Sequence, residues 1–339
     1  MESPGAADRP DPVGVLPGAG RPQGPVDAEN TPCAAACGAQ APPGIRQTAA
    51  PSLLLCRRMK YRHAHHAGNF ADVHKHVTLL ALLVALQRKD KGFLYLETHA
   101  GRGTYDLADS AEAGAGIARL EGAQCAAPEL RHYLERLAQA RRECGSSRLY
   151  PGSPWLAARQ LRAQDRGVFV EALPEEARAL RRALSCARDA PVRIETGDGF
   201  ERLRAVLPPP ERRALTLIDP PYEQTRRDFE RVRAGIAEAL RRFPTGVVAV
   251  WYPVKDARDT ERWLAAVARQ SERAALVAEL WLHPRDSRVA LNGSGMLIVN
   301  PPYQLDAPMR AWLAELYGRL GGAAAGGSAV RPLAPERPA

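Results

Sequence analysis

Apolar residues in this chain come in short runs that alternate with stretches of helical spacing. Val73, Val77, Leu80 and Val84 mark one helical stripe. Asn69 followed by Asp72 suits the start of that helix, and the polar run 88–92 its end. Runs at 93–96, 168–170, 192–194, 214–218, 247–252, 275–282 and 296–299 predict seven strands. Between them, 174–184, 200–207 and 226–242 carry helical periodicity, and Trp263 and Leu264 mark a further helix. Ser153 and Pro154 suit a helix start, with Ser153 as the cap. Such alternation predicts an α/β fold with a doubly wound, mostly parallel sheet. Asn292-Gly293-Ser294-Gly295 suits a tight connection between the last two strands, which makes the final strand antiparallel. Residues 107–149 break the rhythm. Leu130, Tyr133, Leu134 and Leu137 give them one helical stripe, so a helical insertion is expected after the first strand.

The two ends differ from the middle. Residues 1–58 are rich in Pro, Gly and Ala without apolar periodicity, and are expected to be disordered. A simpler expectation is that Met59 is the true start and 1–58 a mis-annotated extension. Residues 59–320 then form the folded domain, and 321–339, rich in Gly, Ala and Pro, a flexible tail. No apolar run approaches the ~18 residues of a membrane span. Six scattered cysteines without a C-x-x-C pair suggest reduced thiols, a cytoplasmic protein and no zinc site.

The net charge is +9, and 1–58 contain five basic and five acidic side chains, so the whole excess lies in the folded part. That suits a polyanionic partner, or an Arg-rich solvated surface, since only five of the 47 basic residues are lysine.

Chemistry concentrates at strand ends. Asp219-Pro220-Pro221-Tyr222 follows the strand at 214–218, at the sheet edge where open α/β folds bind ligands. The prolines remove two N–H donors and stiffen the turn. An Asp219 carboxylate and a Pro220 carbonyl beside the Tyr222 ring would accept both N–H bonds of an exocyclic amine on a flat base. The plain alternative is a strand-ending turn. Asn300-Pro301-Pro302-Tyr303 also fits an N/D-P-P-Y pattern, but follows the seventh strand, away from the loop after the first. That loop, residues 97–103, is glycine-rich. The spacing of Glu97, His99, Gly101 and Gly103 resembles the first motif of S-adenosylmethionine-dependent methyltransferases, with His99 in place of a glycine. Asp106 replaces the third glycine of a dinucleotide fingerprint, and the G-K-[ST] of a P-loop is absent. Glu171, ending the second strand, suits ribose hydroxyls or a solvated charge; Asp198 suits an adenine amine or a turn. Five of the eight histidines lie in 59–76, with no cysteine and no evenly spaced carboxylates beside them, so no metal is expected.

Taken together, Tyr61-Arg62-His63, His66-Ala67-Gly68-Asn69, Asp72, Lys75-His76, Thr98-His99-Ala100-Gly101, Tyr150-Pro151-Gly152-Ser153-Pro154 and Asp219-Pro220-Pro221-Tyr222-Glu223 resemble the bacterial RlmJ family, from about Met59 to Tyr303. These are methyltransferases that act on N6 of one adenine in 23S ribosomal RNA. The resemblance implies a Rossmann-like S-adenosylmethionine-dependent methyltransferase fold and S-adenosylmethionine as cofactor. It implies that His76, His99, Ser153, Glu171 and Asp198-Gly199, with the Gly101 loop, line the cofactor site, and that Glu171 holds the ribose. It makes Asp219, with Pro220 and Tyr222, the catalytic base pocket, and Tyr61, His63 and Lys75 the wall that meets RNA. Arg62, Lys75 and Arg102 are candidates for phosphate contacts. A monomer acting on free or partly assembled RNA is expected. D-P-P-Y alone leaves DNA adenine open as the substrate, and a non-catalytic nucleic-acid-binding or DNA-uptake protein on the same fold is the reading from another class.

Overall fold

The computed structural model describes residues 63–185, 190–285, 287, 289, 291–321 and 326–333. The expectations for 1–58, and for Tyr61 and Arg62, lie outside them. In chain order the elements are α1 (Phe70–Gln87), β1 (Leu94–Glu97), β2 (Thr104–Asp106), α2 (Pro128–Cys144), β3 (Leu149–Pro151), α3 (Ser153–Gln160), β4 (Arg166–Glu171), α4 (Pro174–Ala183) and β5 (Val192–Thr196). There follow α5 (Gly199–Val206), β6 (Ala214–Ile218), α6 (Thr225–Arg242), β7 (Val247–Val254), α7 (Ala257–Ser271), β8 (Ala275–Trp281), β9 (Gly293–Val299), α8 (Asp306–Arg319) and β10 (Gly327–Leu333).

Alternation along each strand feeds two cores, one on each sheet face. Leu94 and Leu96 of β1 join Leu203, Val232, Ile236 and Leu264 from α5, α6 and α7. Tyr95 points the other way, into a core with Val73, Val77, Trp155 and Trp312 from α1, α3 and α8. The main sheet runs β10-β8-β9-β7-β6-β1-β4-β5. β5, β4, β1, β6 and β7 are parallel neighbours, and β9 is antiparallel to both β7 and β8. The expected doubly wound sheet with a late antiparallel strand is therefore present. β1 sits centrally between β4 and β6, so the loops that leave these strands share one edge.

Four expectations need correction. The main sheet has eight strands, because Gly327–Leu333, expected as loose tail, pairs with β8 as β10. Its small residues and Pro332 suit an edge strand, where one ladder suffices. Gly293, Ser294 and Gly295 lie inside β9 rather than in a tight turn, and the connection from β8 spans 282–292. Gly152, not Ser153, is the cap position of α3, because the Ser153 hydroxyl is used elsewhere. Val84 is 40% exposed, whereas His74, Lys75, His76 and Thr78 are buried, because α1 is packed by α2, α3 and β9 on most sides. By length and hydropathy α1 also matches a membrane span, but 78% of that window is buried in the protein, as in a core helix.

The insertion between β1 and α3 contains α2 and short 3-10 turns, and is framed by the β2–β3 ribbon. It reaches back over the start of α1. Glu112 accepts from Asn69 Nδ2 at 2.8 Å and contacts His66 Nδ1 at 2.9 Å, while Ile117 N–H donates to the Gly68 carbonyl at 2.8 Å.

Candidate active site

The loop after β1 is held by both neighbouring strands. Thr98 donates N–H and hydroxyl to the Leu217 carbonyl, and Ala100 N–H donates to the Val170 carbonyl. Gly101 has φ +66°, a conformation that favours glycine, and its N–H donates to Glu171 Oε2 at 2.7 Å. Glu171 Oε1 accepts from Leu173 N–H at 2.8 Å. Burial raises the Glu171 pKa against these hydrogen bonds. Each oxygen carries two lone pairs, so the carboxylate can still accept from a vicinal diol. Gly199 supports the same loop from behind: a Cβ there would lie 1.9 Å from the Thr98 carbonyl oxygen.

Beneath the loop, Glu97 is fully buried. It accepts from Ser153 Oγ at 2.5 Å and from Tyr95 OH at 2.9 Å. Burial raises its pKa to about 8 despite both bonds, so the acid form predominates at neutral pH. His99 sits edge-on to Phe200, and desolvation lowers its pKa to about 4, leaving a neutral ring.

The turn after β6 carries Asp219. Lys75 Nζ lies 2.6 Å from Asp219 Oδ2 and 3.0 Å from Asp72 Oδ1. Asp72 and Lys75 are one turn apart on α1, so the helix presents both to the sheet edge. Burial alone would lower the Lys75 pKa, but the two carboxylates outweigh it and hold it well above the usual lysine range. Lys75 is only 5% exposed. It is therefore an internal cation fixing Asp219, not a surface contact for RNA.

Both loops face one cleft of about 1100 Å³, whose walls include His76, His99, Gly101, Arg102, Ser153, Glu171, Lys75, Asp219, Pro220 and Tyr222. Asp198 and Gly199 are not part of that lining. Asp198 caps α5 through Phe200 and Glu201 N–H, and pairs with Arg231 at 2.9 Å. His76 is buried with Nδ1 3.0 Å from Tyr150 OH. His63 opens a 3-10 turn ahead of α1. Arg102 is held in two hydrogen bonds by Glu176, so it is engaged within the protein.

Tyr222 departs from its expected part. It has φ +47°, is 2% exposed, and donates its hydroxyl to the Trp251 carbonyl at 2.7 Å. Its ring packs on Phe229 and edge-on to Trp251, so it braces the turn and offers the cleft little face. The rival motif at Asn300 is resolved by topology. β9 runs antiparallel to β7, so Asn300 emerges at the opposite sheet edge, where its amide donates to the Pro244 and Gly246 carbonyls.

Sequence reasoning missed Asp72 as the second anchor of Lys75, Trp251 as a cleft residue and Glu97 as a buried acid. Only the Asp72-x-x-Lys75 spacing gave a local signal.

Comparison with known proteins adds to this geometry. A family model described as Ribosomal RNA large subunit methyltransferase D, RlmJ, matches residues 90–332. Ribosomal RNA large subunit methyltransferase J of Escherichia coli (strain K12) is 39% identical over 283 residues, covering 82% of this chain and all of the relative. The Haemophilus influenzae protein of the same name is 36% identical over the same shares. A crystal structure of a Legionella pneumophila protein superposes with a TM-score of 0.70 at 36% identity, covering 78% of this chain and 98% of that one.

Proposed function

The chain belongs to the RlmJ family of ribosomal RNA large-subunit methyltransferases, and on that premise we propose that it methylates N6 of an adenine in 23S ribosomal RNA. The observation that carries this reading is the shared cleft: the glycine loop after β1 and the Asp219 turn after β6 open onto the same space.

S-adenosylmethionine fits the first half of that cleft, and when bound it supplies an electrophilic methyl on a sulfonium. Glu171 would accept from the ribose hydroxyls, the loop at 99–101, which Glu171 holds through Gly101 N–H, would flank the cofactor, and His99, uncharged, would add no repulsion to the cationic sulfur. On the acceptor side an aromatic amine is a weak nucleophile, because its lone pair is delocalised into the ring. The Asp219 carboxylate and the Pro220 carbonyl accept its two N–H bonds and favour a pyramidal nitrogen with an available lone pair. Lys75 holds Asp219 in place and stabilises its charge. A carboxylate is too weak a base to deprotonate a neutral aromatic amine, so Asp219 takes the proton only after the nitrogen has gained its methyl and become acidic. Holding donor and acceptor about 3 Å apart supplies much of the rate.

Asp219 is 14% exposed on the cleft floor, so the base must leave its stack to reach it. That supports a base presented by unpaired RNA, free or partly assembled, over one held in a finished subunit; a cytoplasmic site of action goes with the ribosomal RNA methyltransferase relatives. The test is transfer of labelled methyl to 23S RNA transcribed without modifications, beside DNA of the same sequence. Label confined to N6-methyladenine in the RNA is expected. Equal labelling of the DNA, or no labelling with RNA binding retained, would reject the reading.

A further inference from the structure

The cleft holds an aromatic side chain that the mechanism above leaves unused. Trp251 lies near the end of β7, next to the Asp219 strand, with Ile218 paired to Val250. Trp251 is one of the residues that line the cleft and is partly exposed. Three contacts fix it. Nε1–H donates to Ser294 Oγ at 2.9 Å, and Ser294 is itself fully buried and also within 2.9 Å of His74 Nδ1. Tyr222 packs edge-on against the ring, with centroids 5.6 Å apart. Lys75 Nζ lies 5.9 Å from the ring centroid. Because the same ammonium is 2.6 Å from Asp219 Oδ2, the two distances together cap the separation of indole centroid and carboxylate oxygen at about 8.5 Å. A purine lying on the indole with its amine toward Asp219 is accommodated within that limit.

The polar edge of Trp251 is thus satisfied inside the protein, and what the cleft receives is ring surface. Tyr222, the other aromatic at this turn, is buried and has its hydroxyl tied to the Trp251 carbonyl. We propose that Trp251, braced by Ser294 and Tyr222, is the stacking platform that seats the target base, while Tyr222 acts through it as a positioning residue. The inference rests on the proposed function, since it assumes an extruded adenine. It assigns the grip on the base, by stacking, to β7 and amine recognition to the turn after β6. Stacking tolerates any purine face, so Trp251 sets the grip on the base and the Asp219–Pro220 acceptors set its identity.

Three proteins are compared on an RNA fragment that the wild type methylates: wild type, Trp251→Phe and Trp251→Leu. A second fragment carries 2-aminopurine at the mapped position. Loss of one base–aromatic stack predicts RNA binding weakened about 5- to 150-fold in Trp251→Leu. S-adenosylmethionine affinity by calorimetry should stay within about threefold of wild type, as it does for changes within ±0.6 kcal/mol. Trp251→Phe, which keeps a ring, should regain most of the loss. At saturating protein the 2-aminopurine signal should be quenched by wild type and Trp251→Phe, and brighter with Trp251→Leu. Equal KM for RNA and equal quenching in Trp251→Leu would overturn the stacking role while leaving the proposed function intact. Failure of the wild type to methylate any RNA would overturn both. A Trp251→Leu protein that had lost cofactor affinity as well would mark Trp251 as a scaffold residue and equally reject the platform.

Discussion

Replacing Lys75 by methionine removes the ammonium but keeps most of the side chain's length. In the native protein that ammonium lies between Asp219 at 2.6 Å and Asp72 at 3.0 Å, and both Lys75 and Asp72 are almost wholly buried. Desolvation pulls the lysine pKa down, yet the two carboxylates hold it well above its ordinary value, so the cation is present throughout the neutral range. Removing one partner from a buried pair costs about 3–5 kcal/mol. Here two carboxylates lose their cation and face each other. Asp219, 14% exposed to the cleft, can be partly hydrated, which places the expected loss near the lower end, about 3 kcal/mol. For a domain of this size that corresponds to about 6–12 °C in Tm. Transfer should suffer more, because a misplacement of ~1 Å at the acceptor can cost about 100-fold. Thermal unfolding and single-turnover methyl transfer at saturating S-adenosylmethionine measure the two effects side by side. Adding Asp72→Asn removes the repulsion and should recover most of the stability but not the transfer. If Lys75→Met melts within about 1 °C of wild type, the shift expected for a change of only a few tenths of a kcal/mol, the buried-pair reasoning is refuted. Wild-type turnover in that variant would refute the positioning role.

Three further outcomes follow from the same geometry. Asp219→Ala should abolish methyl transfer while S-adenosylmethionine binding survives within about tenfold, or ~1.4 kcal/mol, by calorimetry; undiminished turnover would exclude Asp219 as the amine acceptor. Glu171→Ala removes the acceptor of Gly101 and Leu173 N–H as well as the diol contact, so cofactor affinity should fall by about 10- to 150-fold, the equivalent of ~1.5–3 kcal/mol for charged hydrogen bonds, with no comparable change in RNA binding. The Glu97 pKa rises from its ordinary 4.5 to about 8 on folding, chiefly through burial. Its contribution is therefore complete below about pH 4.5 and lost as pH rises through 8. Urea unfolding of Glu97→Gln should show a flatter decline between about pH 5 and 9 than wild type, by on the order of 4 kcal/mol, and parallel curves would contradict the buried acid.

Seven strands of the main sheet were legible because each of them carries its own signal. The run at 214–218 is apolar at every position but Thr216 and is buried at every position, and the acid that follows it lands at the ligand-binding edge. The loop at 97–103 was legible for the same reason, as glycine at a place where φ must be positive. What failed was reading burial from residue type. Lys75 has the chemistry of a surface residue, and its ion pair with Asp219 joins positions 144 apart in sequence. Only the packing of α1 against the sheet edge shows that the lysine points inward. Tyr222 was misjudged because its hydroxyl finds a backbone carbonyl on the neighbouring strand, a contact set by the register of β6 and β7. β10 was missed because Gly327–Leu333 has almost no strand propensity of its own and is ordered by the ladder that β8 offers. Asn300 shows the converse: a motif equal in letters to the working one is set apart by strand direction alone.

The most direct measurement is a crystal structure with a bisubstrate analogue in which adenosine N6 is joined through a short linker to the position of the transferable methyl. The cofactor ribose should lie on Glu171 and the N6 nitrogen within hydrogen-bonding distance of the Asp219 carboxylate and the Pro220 carbonyl. Binding of the analogue outside the cleft between the β1 and β6 loops, or with N6 turned away from Asp219, would contradict that placement.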